Sequence, residues 1–509
     1  MQSADDKNTD PEHYVSEALA ALKRNDFPTT RAAIIAYAQT QPLGLKHYLI
    51  KGLAETALSD WTGAERTFSE AAAQHPGEAQ LWFNLGIARE NLGCFKEAAE
   101  NYERSFALKP NQPEACGNLS NIYRRLARFT EAEAMARRAL DLGAPKAQAL
   151  NSLGLALAKQ NKFAEAEEIF WDALKREPNN LLVLSNLANL AVDQLDFADA
   201  WPFFTKARAA SQDSPLIRRD EAMARLLSGE FEMGWKLYEA RLELPHALRV
   251  KPPCPMWRSE SISGKKLLLL SEQGFGDAIQ FCRYGVLLKQ AGAELIWVVR
   301  KPLERLFAAN LAGQVITEES GLPDADFYLP ILSLPLALDK LRPEDAPPAP
   351  YLRAPGEPKL PPSSKKKIGL VWTGSPTHER DHERSIPLAR FAEILKLPAQ
   401  FYAPFTGFGL DQITDQPVMR LDNLIKDFAD AAALLKQLDC LVTVDTASAH
   451  LAGALGVKTI LLLPYAPDWR WGTQGETTPW YPSLTLLRQP IPGDWAAPVA
   501  RLAERLKAL

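Results

Sequence analysis

An aromatic residue recurs every 34 residues along the first half of this 509-residue chain: Phe27, Trp61, Phe95, Phe129, Phe163, Phe197 and Phe231. Other residues keep the same register. Gly52, Gly86 and Gly154 lie nine residues before their aromatic, with Ala18, Ser120, Ala188 and Ala222 at the equivalent points. Ala64, Ala98, Ala132, Ala166 and Ala200 lie three residues after it, and Phe68, Tyr102, Phe170, Phe204 and Tyr238 seven after it. Pro42, Pro76, Pro110 and Pro178 close four of the units. A fixed period of this length restricts the first half to an array of one repeated supersecondary unit. Small residues sit where two helices approach, aromatics fill the gaps, and proline stops the second helix. The pattern predicts a helical hairpin repeated seven times over residues 11–244.

These hairpins resemble the tetratricopeptide repeat. Thr30 and Gly234 stand in the first and last units where alanine is expected, as in capping repeats. Stacked hairpins of this kind imply an α-solenoid superhelix with a concave groove. Asn84, Asn118 and Asn186 share one register on the first helix of their units, and Asn121 and Asn189 lie three residues further on the same face. The O-linked N-acetylglucosamine transferases join such repeats to a glycosyltransferase, and a similar asparagine ladder there holds peptide backbone. By that resemblance these five asparagines are a candidate peptide groove for a protein acceptor or partner, since an amide donates and accepts together. Solvated polar positions or turn-to-turn hydrogen bonds are the other reading.

A segment at 245–264 carrying Pro252, Pro253, Pro255 and Trp257 reads as an ordered linker. From Lys266 the period changes. Apolar runs at Leu267–Leu270, Leu295–Val299 and Phe327–Leu332 predict strands, with helices at Ala278–Gln290 and Leu303–Asn310. This α/β lobe spans 265–341. A proline-rich stretch at 342–364 separates it from a second lobe at 365–509. There, strands are expected at Lys367–Trp372, Gln400–Pro404, Cys440–Val444 and Thr459–Leu463. Helices are expected at Leu388–Leu395, Asp430–Gln437, Ser448–Leu455 and Ala496–Lys507. Two Rossmann-like lobes facing a cleft form the architecture called GT-B in glycosyltransferases. The same pattern also fits sugar-nucleotide epimerases and periplasmic binding proteins.

Four stretches carry candidate chemistry. The first is S-E-Q-G-F-G-D, Ser271 to Asp277, in which Gly274 and Gly276 let backbone approach a ligand closely. Asp277 can cap the following helix or act on a bound substrate. The dinucleotide fingerprint's third glycine and acidic strand end are missing, which argues against NAD. The second is V-W-T-G-S-P-T-H-E-R-D-H-E-R, where Thr373, Gly374 and Arg384 could neutralise a diphosphate at a strand's C-terminal end. The third is V-T-V-D-T-A-S-A-H-L: a strand ends at Asp445, and Thr446, Ser448, Ala449 and His450 open a helix whose free amides suit an anion. His450 could add positive charge or a hydrogen bond. The fourth is P-D-W-R-W-G, whose Trp469 and Arg470 either stack on a sugar or pack the lobes together.

The second half resembles the bacterial glycosyltransferase family that includes the lipopolysaccharide heptosyltransferases, and more closely its branch fused to tetratricopeptide repeats. The resemblance rests on Gly274-Phe275-Gly276-Asp277 in the first lobe. In the second it rests on D-T-x-x-x-H-L-x-x-A-L, carried by Asp445, Thr446, His450, Leu451, Ala454 and Leu455. It implies that Asp277 is the general base. Gln273, Gly274, Gly276, Trp469 and Arg470 then flank the acceptor-side cleft. Thr373, Gly374, Arg384, Asp445, Thr446, Ser448, Ala449 and His450 hold the diphosphate of a nucleotide sugar in the donor-side lobe. The family's lysine after the second lobe's first strand is missing, which puts heptose as the sugar in doubt. Branches of this kind are linked to glycosylation of flagellin or other surface proteins.

The expectation is an inverting, metal-independent glycosyltransferase with no cofactor beyond the nucleotide-sugar donor. A non-catalytic repeat scaffold, a glycan acceptor and an epimerase are the alternatives. A net charge of −4 leaves no basic footprint for nucleic acid, and no apolar run is long enough to span a bilayer. The polar N-terminus, Met1 to Asp10, is unlike a signal peptide, and five scattered cysteines suit reduced thiols. A cytoplasmic protein is expected.

Overall fold

A computed structural model describes residues 10–509; most of the polar N-terminus read above lies outside the described residues. It divides into two compact units, one ending at Leu187 and the other running from Ala188 to Leu509.

The repeats are seven helical hairpins. They pair Pro11–Lys23 (α1) with Phe27–Ala38 (α2), Leu45–Ala57 (α3) with Trp61–Gln74 (α4), and Ala79–Asn91 (α5) with Phe95–Leu108 (α6). Pro113–Arg125 (α7) pairs with Phe129–Asp141 (α8), and Lys146–Ala158 (α9) with Phe163–Arg176 (α10). Leu181–Asp193 (α11), Phe197–Ala210 (α12), Pro215–Ser228 (α13) and Phe231–Tyr238 (α14) complete the set. Every second helix starts on a periodic aromatic. Asp26, Asp60 and Asp196 cap three of these starts through the amide three residues on.

The regular spacing has a steric cause. A Cβ on Gly52, Gly86 or Gly154 would lie 2.4, 2.6 or 2.5 Å from the ring of Phe68, Tyr102 or Phe170, the periodic aromatic of the same hairpin. A second 34-residue series is backbone rather than side chain. Asn25, Ser59, Gly93, Ala127, Asn161, Leu195 and Gly229, each two residues before its aromatic, all have positive φ. The hairpin turn demands a left-handed residue, which asparagine and glycine supply readily and Ala127 and Leu195 adopt under strain.

The second unit contains two all-parallel sheets. The first has order β3-β2-β1-β4, built from Lys266–Leu270 (β1), Glu294–Val299 (β2), Gln314–Thr317 (β3) and Phe327–Pro330 (β4). Its helices are Phe275–Phe281 (α15), Gly285–Gln290 (α16), Glu304–Ala308 (α17) and Leu334–Ala337 (α18). The second has order β10-β9-β8-β5-β6-β7, from Lys366–Val371 (β5), Ala399–Ala403 (β6), Val418–Arg420 (β7), Cys440–Val444 (β8), Thr459–Leu463 (β9) and Leu484–Arg488 (β10). Asp381–Arg384 (α19), Phe428–Leu435 (α20), Ala447–Leu455 (α21) and Ala496–Lys507 (α22) accompany it. Central strands are buried on both faces, as parallel sheets require.

Several boundaries differ from the sequence reading. The helix expected at Ala278–Gln290 starts earlier, at Phe275, and passes through a 3₁₀ turn at Cys282–Tyr284. The helix expected at Leu388–Leu395 is two 3₁₀ turns, Leu388–Phe391 and Ile394–Lys396, and the Phe327 strand stops at Pro330. β3, β7 and β10 differ from the sequence reading, which has no strand there; all three are edge strands less enclosed than their neighbours, and β3 and β7 are also short. The segment before β1 is anchored on the first sheet, with Met256 bridging Tyr328 and Trp257 buried.

Candidate functional site

Both glycine- and threonine-marked turns lie at C-terminal strand ends, where open α/β sheets bind ligands. After β1, the chain is held from beneath by a buried ion pair. Arg241, just beyond α14, meets Glu272 through Nη2–Oε1 at 2.7 Å and Nε–Oε2 at 3.0 Å, and Leu332 N–H donates to the same carboxylate. Gln273 follows with φ of 53° and exchanges a hydrogen bond with Tyr238 Oη. Gly274 then caps α15, and its N–H donates to Asp277 Oδ2 at 2.7 Å. Asp277 Oδ1 accepts from Arg470 Nη2. Of the two roles considered for Asp277, these bonds show the cap; its other oxygen forms an ion pair with Arg470. Arg470 also donates to Gln280 Oε1 (2.7 Å) and Asp468 Oδ1 (2.8 Å). Burial alone would depress this guanidinium, but the Asp468 and Asp277 carboxylates hold it above its ordinary pKa.

In the second sheet the strand order reverses between β8 and β5, and the two candidate donor stretches leave from these neighbouring ends. Arg384 spans them, donating from Nη1 to the Asp445 carbonyl at 2.9 Å and pairing with Asp381 at 3.1 Å. Gly374 donates to Ser385 Oγ, and a Cβ there would meet Arg384 and Asp381 at 2.5 Å. Thr373 is half-buried beside it. Thr446 caps α21 without a side-chain hydrogen bond to the helix; the Ala449 amide donates back to the Thr446 carbonyl at 3.0 Å, which leaves the Ala447 and Ser448 amides at the helix start without a capping side chain. Ser448 is half-buried there and Ala449 is buried. Burial, with Asp468 beside it, pushes the Asp445 carboxyl up to about 6 against the pull of Arg384.

His450 does not supply the positive charge considered for it. Its ring is buried, bonded through Nδ1 to Tyr481 Oη at 3.0 Å and stacked on Trp471 with centroids 5.2 Å apart. Burial, then the nearby Arg470, pushes its pKa down to about 3, leaving a neutral imidazole at physiological pH. The tryptophans pack against one another and against the neighbouring helices. Trp469, Trp471 and Trp480 are buried, and Trp469 packs edge-on against Trp235 of α14 at 5.2 Å.

The two motifs, far apart in sequence, abut. A Cβ on Gly276 would lie 2.8 Å from His450 Cδ2 and 3.5 Å from Ala447 Cα, so the second glycine makes room for the start of α21. Arg470 ties the same turn to Asp468. Beside this junction lies a cavity of about 770 Å³, lined by Gln273, Arg384, Asp445, Trp469, Asn189 and Met223 among others. The Arg380–Asp193 ion pair, at 3.0 Å, joins the loop after β5 to the end of α11.

The other ladder asparagines lie in the first unit. Asn118 Nδ2 donates to Tyr102 Oη of the preceding hairpin at 3.3 Å, and Asn186 Nδ2 to Asn151 Oδ1 at 2.7 Å. Asn84 accepts from Gln80, while its own Nδ2 is buried without a partner. Asn121 is half-buried. Turn-to-turn bonds thus use part of the ladder. Sequence reasoning missed Arg241, Glu272, Asp468 and Tyr481; a single buried glutamate or arginine carries no periodic signal. Among the described residues no group of three or more histidine, cysteine or acidic side chains stands together as a metal site. No helix among them is long and apolar enough to cross a membrane.

A tetratricopeptide repeat family model matches residues 49–113 and 118–180, so the N-terminal region carries tetratricopeptide repeats. Among curated proteins, Protein FlbA of Caulobacter vibrioides is 24% identical over 345 residues, 59% of this chain. The match spans 56% of that protein's length. Among solved structures, a tetratricopeptide repeat protein from Parabacteroides merdae aligns with a TM-score of 0.43 at 15% identity, covering 46% of this chain and 93% of that one. PilW, a type IV pilus biogenesis factor, aligns at 0.36 and 18% identity, covering 40% of this chain and 96% of its own.

Proposed function

We propose that the chain is a glycosyltransferase of GT-B type, moving a sugar from a nucleotide-activated donor to a protein acceptor. The observation that carries this reading is the junction of Gly276 with His450 and Ala447, which brings the G-F-G-D turn of one sheet against the D-T-x-x-x-H helix start of the other. In this reading the open amides of α21 and the guanidinium of Arg384 take the donor diphosphate and stabilise charge as it departs. Asp277 takes the proton of the acceptor hydroxyl. A carboxylate has about four lone-pair directions, so the bonds from Gly274 and Arg470 leave acceptor capacity on it. His450, neutral, orients rather than neutralises. The repeats support a protein partner.

The test is release of nucleoside diphosphate from a nucleotide-sugar panel with candidate acceptor proteins present. Asp277→Asn keeps an oxygen for the Gly274 cap and is expected to lose about 10²–10⁴ in rate. A second reading, a repeat scaffold whose sheet half only binds, is favoured by the fact that both Asp277 oxygens already serve the fold. Wild-type protein inert across the whole panel would support it.

A further inference from the structure

Arg300, the residue after β2, carries a guanidinium with two nitrogens that the fold leaves unmatched. It stands at the C-terminal end of β2, beside the end of β1 that carries the Asp277 turn. The guanidinium lies 3.5 Å from the ring centroid of Phe275, the residue between the two glycines of that turn. Phe275 in turn packs on Phe428 of α20 with centroids 5.0 Å apart. Arg300 is thus held by ring contacts rather than by an acid. Its Nε and Nη2 are buried without a hydrogen-bond partner among the described residues. The two nearby carboxylates do not fill the gap. Glu318 Oε1 lies 3.8 Å from Arg249 Nε, beyond hydrogen-bond reach, and accepts no hydrogen bond. Asp277 is already bonded to Gly274 and Arg470. Burial, then the neighbouring Arg249, holds Arg300 below its ordinary pKa against the pull of Glu318 and Asp277. A buried cation with unmatched N–H groups is costly, and such a group calls for an ion or a ligand.

We propose that Arg300 binds a carboxylate of the transferred sugar, which makes the substrate a sugar acid rather than a neutral hexose. Nε–H and Nη2–H lie on one edge of the guanidinium plane, spaced for the two oxygens of a carboxylate. The chain already uses that edge elsewhere: Arg241 meets Glu272 through Nε at 3.0 Å and Nη2 at 2.7 Å. The sugar is the part of the substrate that reaches this turn. In the transferase reading the diphosphate sits at the start of α21, where a Cβ on Gly276 would lie 3.5 Å from Ala447 Cα. Whatever is joined directly to the diphosphate therefore lies against the Asp277 turn. Arg249 donates to the Gln273 carbonyl at 3.4 Å and has 46% of its side chain exposed. It is the neighbour that swings aside to admit the acid and then adds a second cation. A neutral sugar leaves the Arg300 edge unsatisfied, so Arg300 is a specificity residue rather than a catalytic one. The identity of the acid as a transferred sugar rests on the transferase reading; the carboxylate site rests only on Arg300 and its neighbours.

The experiment melts the full chain with sodium glucuronate or galacturonate, beside glucose and galactose, at an ionic strength equalised with sodium chloride. At least one acid is expected to raise the melting temperature saturably, as a ligand of the folded state does, and neither neutral sugar should. Each shift is read from that protein's own melting temperature. Arg300→Gln should raise the half-saturating concentration of the acid about tenfold or more. Arg300→Lys keeps a cation over Phe275 without the fork and should fall between the two. No response to either acid, an equal response to acids and neutral sugars, or a response that Arg300→Gln keeps overturns the inference. An equal response to the blocked peptide Gly-Asp-Ser-Gly-Gly gives the carboxylate to the acceptor and overturns its place on the sugar. No nucleotide is present, so failure here leaves the transferase reading standing, and absence of turnover leaves the sugar-acid result intact.

Discussion

The two strand-to-helix turns of the sheet half differ at their helix starts. At α15 the chain supplies its own anion: Asp277, at the third helical position, accepts from Gly274 N–H, and Arg470 balances its charge. At α21 the cap residue Thr446 makes no side-chain bond to the helix and the first turn carries no acidic side chain; the Ala449 amide donates back to the Thr446 carbonyl at 3.0 Å. A helix start that already carries a carboxylate in its first turn disfavours a ligand anion, whereas one without such a charge attracts it. The contrast assigns the diphosphate to α21 in the proposed mechanism and leaves α15 to present a carboxylate.

Substitutions can copy one turn into the other. The largest expected effect is on binding: Thr446→Asp puts at the cap of α21 a carboxylate, a charge that α15 carries at its third helical position. It should stabilise the helix by roughly 0.5–1 kcal/mol while lowering nucleoside diphosphate affinity by an order of magnitude or more, read by calorimetry and melting. Gly276→Ala attacks the junction instead. Its Cβ would stand 2.8 Å from His450 Cδ2, and the overpacking should lower stability by about 1–3 kcal/mol, measured in urea.

Titration sharpens the same comparison. His450 has a folded pKa of about 3, below its unfolded value near 6.5. Its contribution is therefore complete above about 6.5 and is lost as pH falls toward 3. Asp445 has the opposite sign: raised to about 6 when folded, it favours the fold below its unfolded value near 3.9 and loses that contribution as pH rises through 6. Asp445→Asn should accordingly raise the melting temperature at pH 8 and leave it unchanged near pH 3.5. The smallest effect is in the repeats. Ala127→Gly relieves a left-handed alanine (φ 57°) and should add about 1 kcal/mol to unfolding of the first unit, with nucleotide binding unaltered.

The repeats were legible because each hairpin repeats the same local contacts. Gly86 facing Tyr102 recurs as Gly52 facing Phe68, so spacing alone reveals the packing. The left-handed series at Asn25 through Gly229 shared that period but hid behind unlike side chains, Leu195 and Ser59 among them. In the sheet half the strands with continuous apolar runs could be read, while the edges β3 and β7 offered only short, partly exposed segments. The two motifs were visible in sequence, but not that Arg470 would hold Asp277 or that Gly276 would meet His450. Such contacts span 174 to 193 residues and leave no periodic trace. Which of charge or hydrogen bond His450 would supply was hidden for the same reason: Tyr481, which bonds it, and Trp471, which stacks on it, come from a later segment of chain.

The most direct test of the open turn at α21 is a calorimetric titration of the full chain with uridine, guanosine and adenosine diphosphates, wild type beside Thr446→Asp. The account predicts saturable binding of at least one nucleotide to wild type and its loss in a variant that melts no earlier. Equal binding to both proteins, or none to wild type, would contradict it.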